Sequence, residues 1–143
     1  MKQASTILLL PVLALLACGH GEGPVMLPGE NCMNCHGGSA AKAVGAPAWT
    51  VAGTVYTAPD AEMDTGTEGA LVHLTDALNL SLTLKSNAVG NFYTREPLVF
   101  PLRACVEYAG FTRCMETVPR GSCNECHTIP SQNQAPGRIT AGP

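Results

Sequence analysis

Between Trp49 and Val118 apolar and polar residues alternate in short runs separated by Gly, Asn and Pro. A period of two over four to eight residues is the signature of a half-buried strand. The pattern predicts strands over Trp49–Tyr56, Ala70–Thr75, Leu80–Ser86, Asn91–Thr94, Leu98–Tyr108 and Phe111–Val118, with a polar loop over Ala58–Gly69. Pro101 cannot donate to a ladder and should break the fifth run. Beyond the first residues no run of ten carries the 3.6-residue period of an amphipathic helix. The expected fold is therefore mainly β, a small antiparallel β-sandwich over 49–118.

A different pattern opens the chain. Lys2 precedes an apolar run from Ile7 to Leu16, the length of a signal-peptide core and too short to span a bilayer. It ends in Leu15-Leu16-Ala17-Cys18, which resembles a bacterial lipobox. The resemblance implies that residues 1–17 are a lipoprotein signal peptide and that Cys18 is lipidated. With Gly19 rather than Asp next, the pattern resembles that of exported lipoproteins sorted to the outer membrane, with the face left open. Residues 18–31 are rich in Gly and Pro and read as a flexible tether.

Removing the leader leaves 126 of the 143 residues, enough for one modest domain. The eight Lys and Arg fall to seven, against eleven Asp and Glu. Nucleic acid is excluded as a partner by this balance, because no basic patch exists to neutralise phosphates.

Cysteine spacing supplies the chemistry. Cys32-Met33-Asn34-Cys35-His36 and Cys123-Asn124-Glu125-Cys126-His127 repeat Cys-x-x-Cys-His, the attachment signature of c-type haem. Two thiols three residues apart can form thioethers to the two vinyl groups of one porphyrin edge, and the following His can ligate the iron. Two such pentapeptides in an exported chain imply two covalently attached haem c groups. Residues 32–48 form the first haem-binding segment, and 119–143 form the second with an irregular tail. A structural zinc site would leave both adjacent histidines unexplained, and its 91-residue ligand spacing fits no familiar finger.

The remaining pair, Cys105 and Cys114, brackets Ala109-Gly110. A two-residue turn there places them directly opposite, where a disulfide is possible and export permits it. A type I turn with a Gly bulge would shift the pairing by one and separate them.

Two resemblances can be stated. Ala52-Gly53-Thr54-Val55-Tyr56, Gly69-Ala70-Leu71-Val72 and Lys85-Ser86-Asn87-Ala88-Val89-Gly90-Asn91-Phe92-Tyr93 resemble the carboxypeptidase regulatory-like (transthyretin-related) β-sandwich, except that Ser86 stands where Thr is usual. Such domains act as structural modules, so no catalytic residue carries over. The order of haem motif, sandwich and haem motif is similar to that of small exported dihaem cytochromes. Ala135-Pro136-Gly137-Arg138-Ile139-Thr140 also echoes Ala46-Pro47-Ala48-Trp49-Thr50 after the first motif.

His36 and His127 are the proximal iron ligands on this reading. Four histidines for four axial positions invite a bis-His assignment, with His73 and His20 as the distal pair. Met26, Met63 and Met115 compete for the same role, and Met ligation would raise the potential. An even number of alternating strands returns the chain to the end at which it entered, so six strands would make the haems neighbours. If Leu98–Tyr108 were two antiparallel strands, the haems would lie at opposite ends. The function expected is a membrane-tethered dihaem cytochrome c carrying single electrons between redox partner proteins. The alternatives are a haem enzyme (a peroxidase or small-molecule reductase) with one open iron site, and a subunit of a cytochrome wire that assembles with itself.

Overall fold

A computed structural model describes residues 23–38 and 46–142. The expected signal peptide, Cys18 and His20 lie outside the described residues. No described helix is long and apolar enough to cross a membrane.

The architecture is two packed sheets. One has the strand order β4-β1-β7 and the other β3-β2-β5-β6. The strands are β1 (Val51–Tyr56), β2 (Leu71–Thr75), β3 (Ser81–Lys85), β4 (Asn91–Thr94), β5 (Leu102–Tyr108), β6 (Phe111–Val118) and β7 (Ile139–Thr140). The mainly β sandwich expected from the alternation is what forms. Val51 and Val55 of β1 and Phe92 of β4 close on Val72 and Leu74 of β2 and Leu102 and Val106 of β5. Burying one such side chain is worth about 1.5–3 kcal/mol.

Apart from one-residue shifts at the ends of β2 and β3, the strands differ from the pattern in three places. β5 starts at Leu102, immediately after Pro101, so Leu98–Phe100 lies outside the strand and the fifth run remains one strand. β1 starts at Val51 rather than Trp49. The tail supplies β7, which pairs parallel with Val55 and Tyr56 of β1; a two-residue strand has no period to read.

The β5–β6 turn settles the register. Ala109 and Gly110 both take positive φ, 50° and 83°, as a type I′ turn requires. Tyr108 then pairs with Phe111, Cys105 faces Cys114, and the two cysteines are disulfide-bonded.

β1 is the strand around which the candidate site is built. Every one of its six residues is buried, because its second edge and outer face are covered by the segments on either side of the sandwich. Ala52 N–H donates to Gly121 O at 2.9 Å. A Cβ at Gly121 would overlap the Thr50 carbonyl oxygen, so only glycine allows this approach. Gly53 is bare for a similar reason: a Cβ there would sit 2.7 Å from the Phe92 ring and 2.9 Å from Cys123 Cβ.

Candidate functional site

Each Cys-x-x-Cys-His segment folds as a single helical turn, α1 (Met33–His36) and α2 (Cys123–Cys126). Asn31 Oδ1 accepts Met33 N–H at 3.1 Å and starts the first turn. His36 N–H donates to Cys32 O at 2.9 Å, and His127 N–H to Cys123 O at 3.0 Å. Positions i, i+3 and i+4 share one helix face, so one turn collects both cysteines and the histidine on one side.

The two turns meet at their starts. Asn31 and Ser122, each the residue just before its first cysteine, are joined by a Ser122 Oγ to Asn31 Oδ1 hydrogen bond of 2.6 Å. Asn124 locks the contact. Its Oδ1 accepts Thr54 N–H at 3.0 Å, and its Nδ2 donates to Glu30 O and Thr54 Oγ1, both at 2.9 Å. On the free edge of β1, Gly121 O pairs with Ala52, the Asn124 amide with Thr54, and β7 with Val55 and Tyr56. One side chain thus replaces a missing residue of the ladder. Gly29 N–H also reaches Thr54 Oγ1, at 2.9 Å, and Thr54 Oγ1 donates to Asn91 Oδ1 at 2.8 Å.

Both motif histidines are oriented in the same way. His36 Nδ1 is 2.8 Å from Pro47 O, and His127 Nδ1 is 2.9 Å from Gly137 O. A carbonyl can only accept, so Nδ1 carries the proton in each ring and Nε2 is left with its lone pair in the neutral form. A carbonyl on the other ring nitrogen is the usual support of a metal-binding histidine. Both carbonyls belong to the echoed post-motif segments.

The surroundings of the two histidines differ. His36 is buried and stacks face to face on Trp49, centroids 3.5 Å apart and planes within 8°. Trp49 stacks in turn on Tyr93 at 4.3 Å. His127, Cys123 and Cys126 instead line a cavity of about 860 Å³, within the range of cofactor pockets. Its walls include Val72, Leu74, Ala104 and Val106 from the inner face of the four-stranded sheet, Met115 and Val118 from β6, and Ile139 from β7. Arg113, Arg120 and Arg138 also line it. Arg138 is buried; its Nε donates to Ala61 O at 2.7 Å, its guanidinium lies 4.6 Å over the Tyr56 ring, and its Nη1 has no partner.

Burial pushes the Cys32 thiol up to about 11. Burial, reinforced by Cys32 and Cys126, pushes Cys123 up to about 12. Reactive and metal-binding cysteines need the opposite shift, so burial disfavours the thiolate at both sulfurs. Cys32, Cys123 and Cys126 are free thiols. Cys35 is disulfide-bonded, and a thioether at Cys35 requires that bond to be open when haem is attached. Among the described residues no three His, Cys, Asp or Glu side chains gather as a metal site.

The candidate distal ligands are scattered. His73 sits on the outer face of the four-stranded sheet with both ring nitrogens engaged, Nδ1 with Thr83 Oγ1 at 3.0 Å and Nε2 with Glu107 Oε2 at 3.3 Å. It does not line the cavity and is not brought to either motif. Met63 is exposed and its carbonyl accepts the Tyr56 hydroxyl. Met26 lies against His36, with Sδ 3.4 Å from Nε2.

Fold and site together define a small β-sandwich whose flanking Cys-x-x-Cys-His turns are clasped side by side. Comparison with protein-family models, with curated proteins and with solved structures found no match to this chain.

Proposed function

We propose that this chain is a dihaem cytochrome c that passes single electrons between redox partners. The observation that carries the reading is the paired orientation of His36 and His127, each with Nδ1 tied to a main-chain carbonyl and Nε2 left as the donor. When bound, haem c supplies a one-electron iron couple, whose potential the protein tunes through ligand, burial and hydrogen bonding. Cys32, Cys35 and His36 hold one group, and Cys123, Cys126 and His127 the other. The apolar cavity beside His127 suits a porphyrin face, and the arginines lining it suit carboxylate side groups. The unpartnered Nη1 of Arg138 is a buried donor that such a carboxylate would satisfy.

The chain's own task is placement. Asn124 and the Asn31–Ser122 bond hold the two motifs in contact, which supports neighbouring haems. The sandwich between them resembles the transthyretin-related modules, a scaffold role. Lipidation of Cys18 and export to the outer membrane complete the proposal, with the residues between Cys18 and the docked Met26–Asn31 segment as the tether to the membrane.

The test is the spectrum of the full chain matured in a host that attaches haem c. Two covalent haems per chain, both low-spin, are expected. Cys32→Ser with Cys35→Ser should remove one, and Cys123→Ser with Cys126→Ser the other. One high-spin haem that binds small ligands would favour the enzyme alternative. No covalent haem would overturn the reading.

A further inference from the structure

The contact between His36 and Met26 contains a contradiction that chemistry must resolve. Pro47 O fixes the proton on Nδ1, so Nε2 of the neutral ring presents a bare lone pair. It faces the Met26 thioether at 3.4 Å, and a thioether sulfur has no hydrogen to give. Two acceptors therefore point at each other with no donor between them.

An electron-pair acceptor between the two lone-pair donors removes the conflict. A metal ion accepts both lone pairs at once. Imidazole nitrogen and thioether sulfur on opposite sides of one iron are an established axial pair.

Seating an iron between the two donors would require them to move apart from the present 3.4 Å contact. The adjustment falls on an unbranched side chain with three rotatable bonds. The main chain of Met26 is already fixed, because its carbonyl accepts Asn91 Nδ2 at 2.8 Å, and Asn91 belongs to the Thr54 network that clasps the motifs.

We propose that Met26 is the sixth ligand of the iron held by His36, so that the first site is a His/Met centre. The inference rests on the dihaem reading and deepens it. A thioether ligand raises the potential, which would make the first site the stronger electron acceptor of the two unless the second also carries one.

The experiment uses the full haem-loaded chain, with a haem count taken independently by pyridine haemochrome. Oxidised wild type should show the weak far-red band of a thioether–iron bond, and the reduced protein an upfield-shifted methionine methyl resonance. Met26→Leu should lose both signals and leave one of two haems high-spin and open to imidazole. Met26→His should lose both signals yet stay low-spin, with one potential lowered. Met63→Leu should change none of these. Two haems without either thioether signal in wild type, or signals that survive Met26→Leu, would overturn the ligand assignment alone. A count of zero haems would overturn the dihaem reading and the assignment with it.

Discussion

The two Cys-x-x-Cys-His turns share a backbone, a proton placement and a contact with each other, yet they face different surroundings. His36 is pressed between Trp49 and Met26, with Tyr93 continuing the stack outward to a half-exposed ring. His127 opens onto an apolar cavity bounded by the four-stranded sheet. The local sequence decides that a histidine can bind iron, and the packing decides how. Burial, neighbouring charge and the opposite ligand tune a haem, so two Cys-x-x-Cys-His turns in unlike surroundings should give unlike centres.

The largest test of that difference removes one histidine at a time. His36→Ala and His127→Ala should each cost one iron its proximal ligand and leave the other haem low-spin. The surviving haem in each variant then reports its own midpoint. A potentiometric titration should return two distinct values, and identical midpoints would mean that the surroundings do not distinguish the sites.

Asn124→Ala comes next and attacks what the two sites share. It leaves Thr54 N–H without its partner in a buried setting and removes the part-buried donor to Glu30 O. An orphaned buried group costs about 1–3 kcal/mol, so a loss of about 2 kcal/mol is expected in urea denaturation. Asn124→Asp sharpens this, because a carboxylate can still accept Thr54 N–H but cannot donate to Glu30 O. An intermediate loss is expected, together with weakened interaction between the haems in magnetic resonance spectra. Stability equal to wild type in both variants would show that the clasp does not hold the motifs.

How much of this was legible beforehand follows from the range of each signal. The motifs and the six strands are local patterns, so they could be read from the chain directly, and the strand parity pointed to neighbouring motifs. The echo between Ala46-Pro47 and Ala135-Pro136 marked the segments that supply the two histidine anchors, although the accepting carbonyls fall one position apart, at Pro47 and Gly137. Asn124 was illegible as a clasp. It occupies a variable position of its motif, and its partners Thr54 and Glu30 lie 70 and 94 residues away. Counting histidines against axial positions pointed to His73, but a count carries no direction. The alternation already placed His73 on the face opposite Val72 and Leu74, and the structure puts those two in the core. His20 lies outside the described residues.

A pH titration separates the scaffold from the sites. Asp76 Oδ1 accepts the N–H groups of Leu78 and Leu80, each at 2.8 Å, and Oδ2 accepts that of Val99 at 3.0 Å. The Val99 bond above all, with those of Leu80 and Leu78, holds its carboxyl below the usual range against the opposing pull of burial. A depressed folded-state value stabilises the fold at pH above the unfolded carboxylate value of about 3.9. That contribution is lost as pH falls below it and through the lower folded value. Neither motif touches Asp76, so acidification should loosen the scaffold beneath both Cys-x-x-Cys-His turns alike. Asp76→Asn should flatten the acid limb of a stability–pH curve, and an unchanged limb would assign acid lability to other carboxylates.

The smallest effect expected is also the most selective. Trp49 covers one face of His36 and is itself covered by Tyr93, with planes within 8° and 9°, while the residues around His127 that line its cavity include no Trp. Stacked pairs contribute about 0.5–1.5 kcal/mol beyond the area they bury, so Trp49→Leu should cost about 1 kcal/mol. Its sharper consequence is angular. With Nδ1 tied to Pro47 O and one ring face against the indole, the His36 plane has a single orientation about its metal-binding axis. Removing the indole leaves the hydrogen bond and frees the rotation. The low-spin resonance of the first haem should therefore broaden or shift its g anisotropy, with the second haem unchanged, and Trp49→Phe should restore most of the wild-type signal. An equal change at both haems would mean that the stack acts through the shared clasp rather than on His36, and the contrast between the two turns would then rest on the cavity alone.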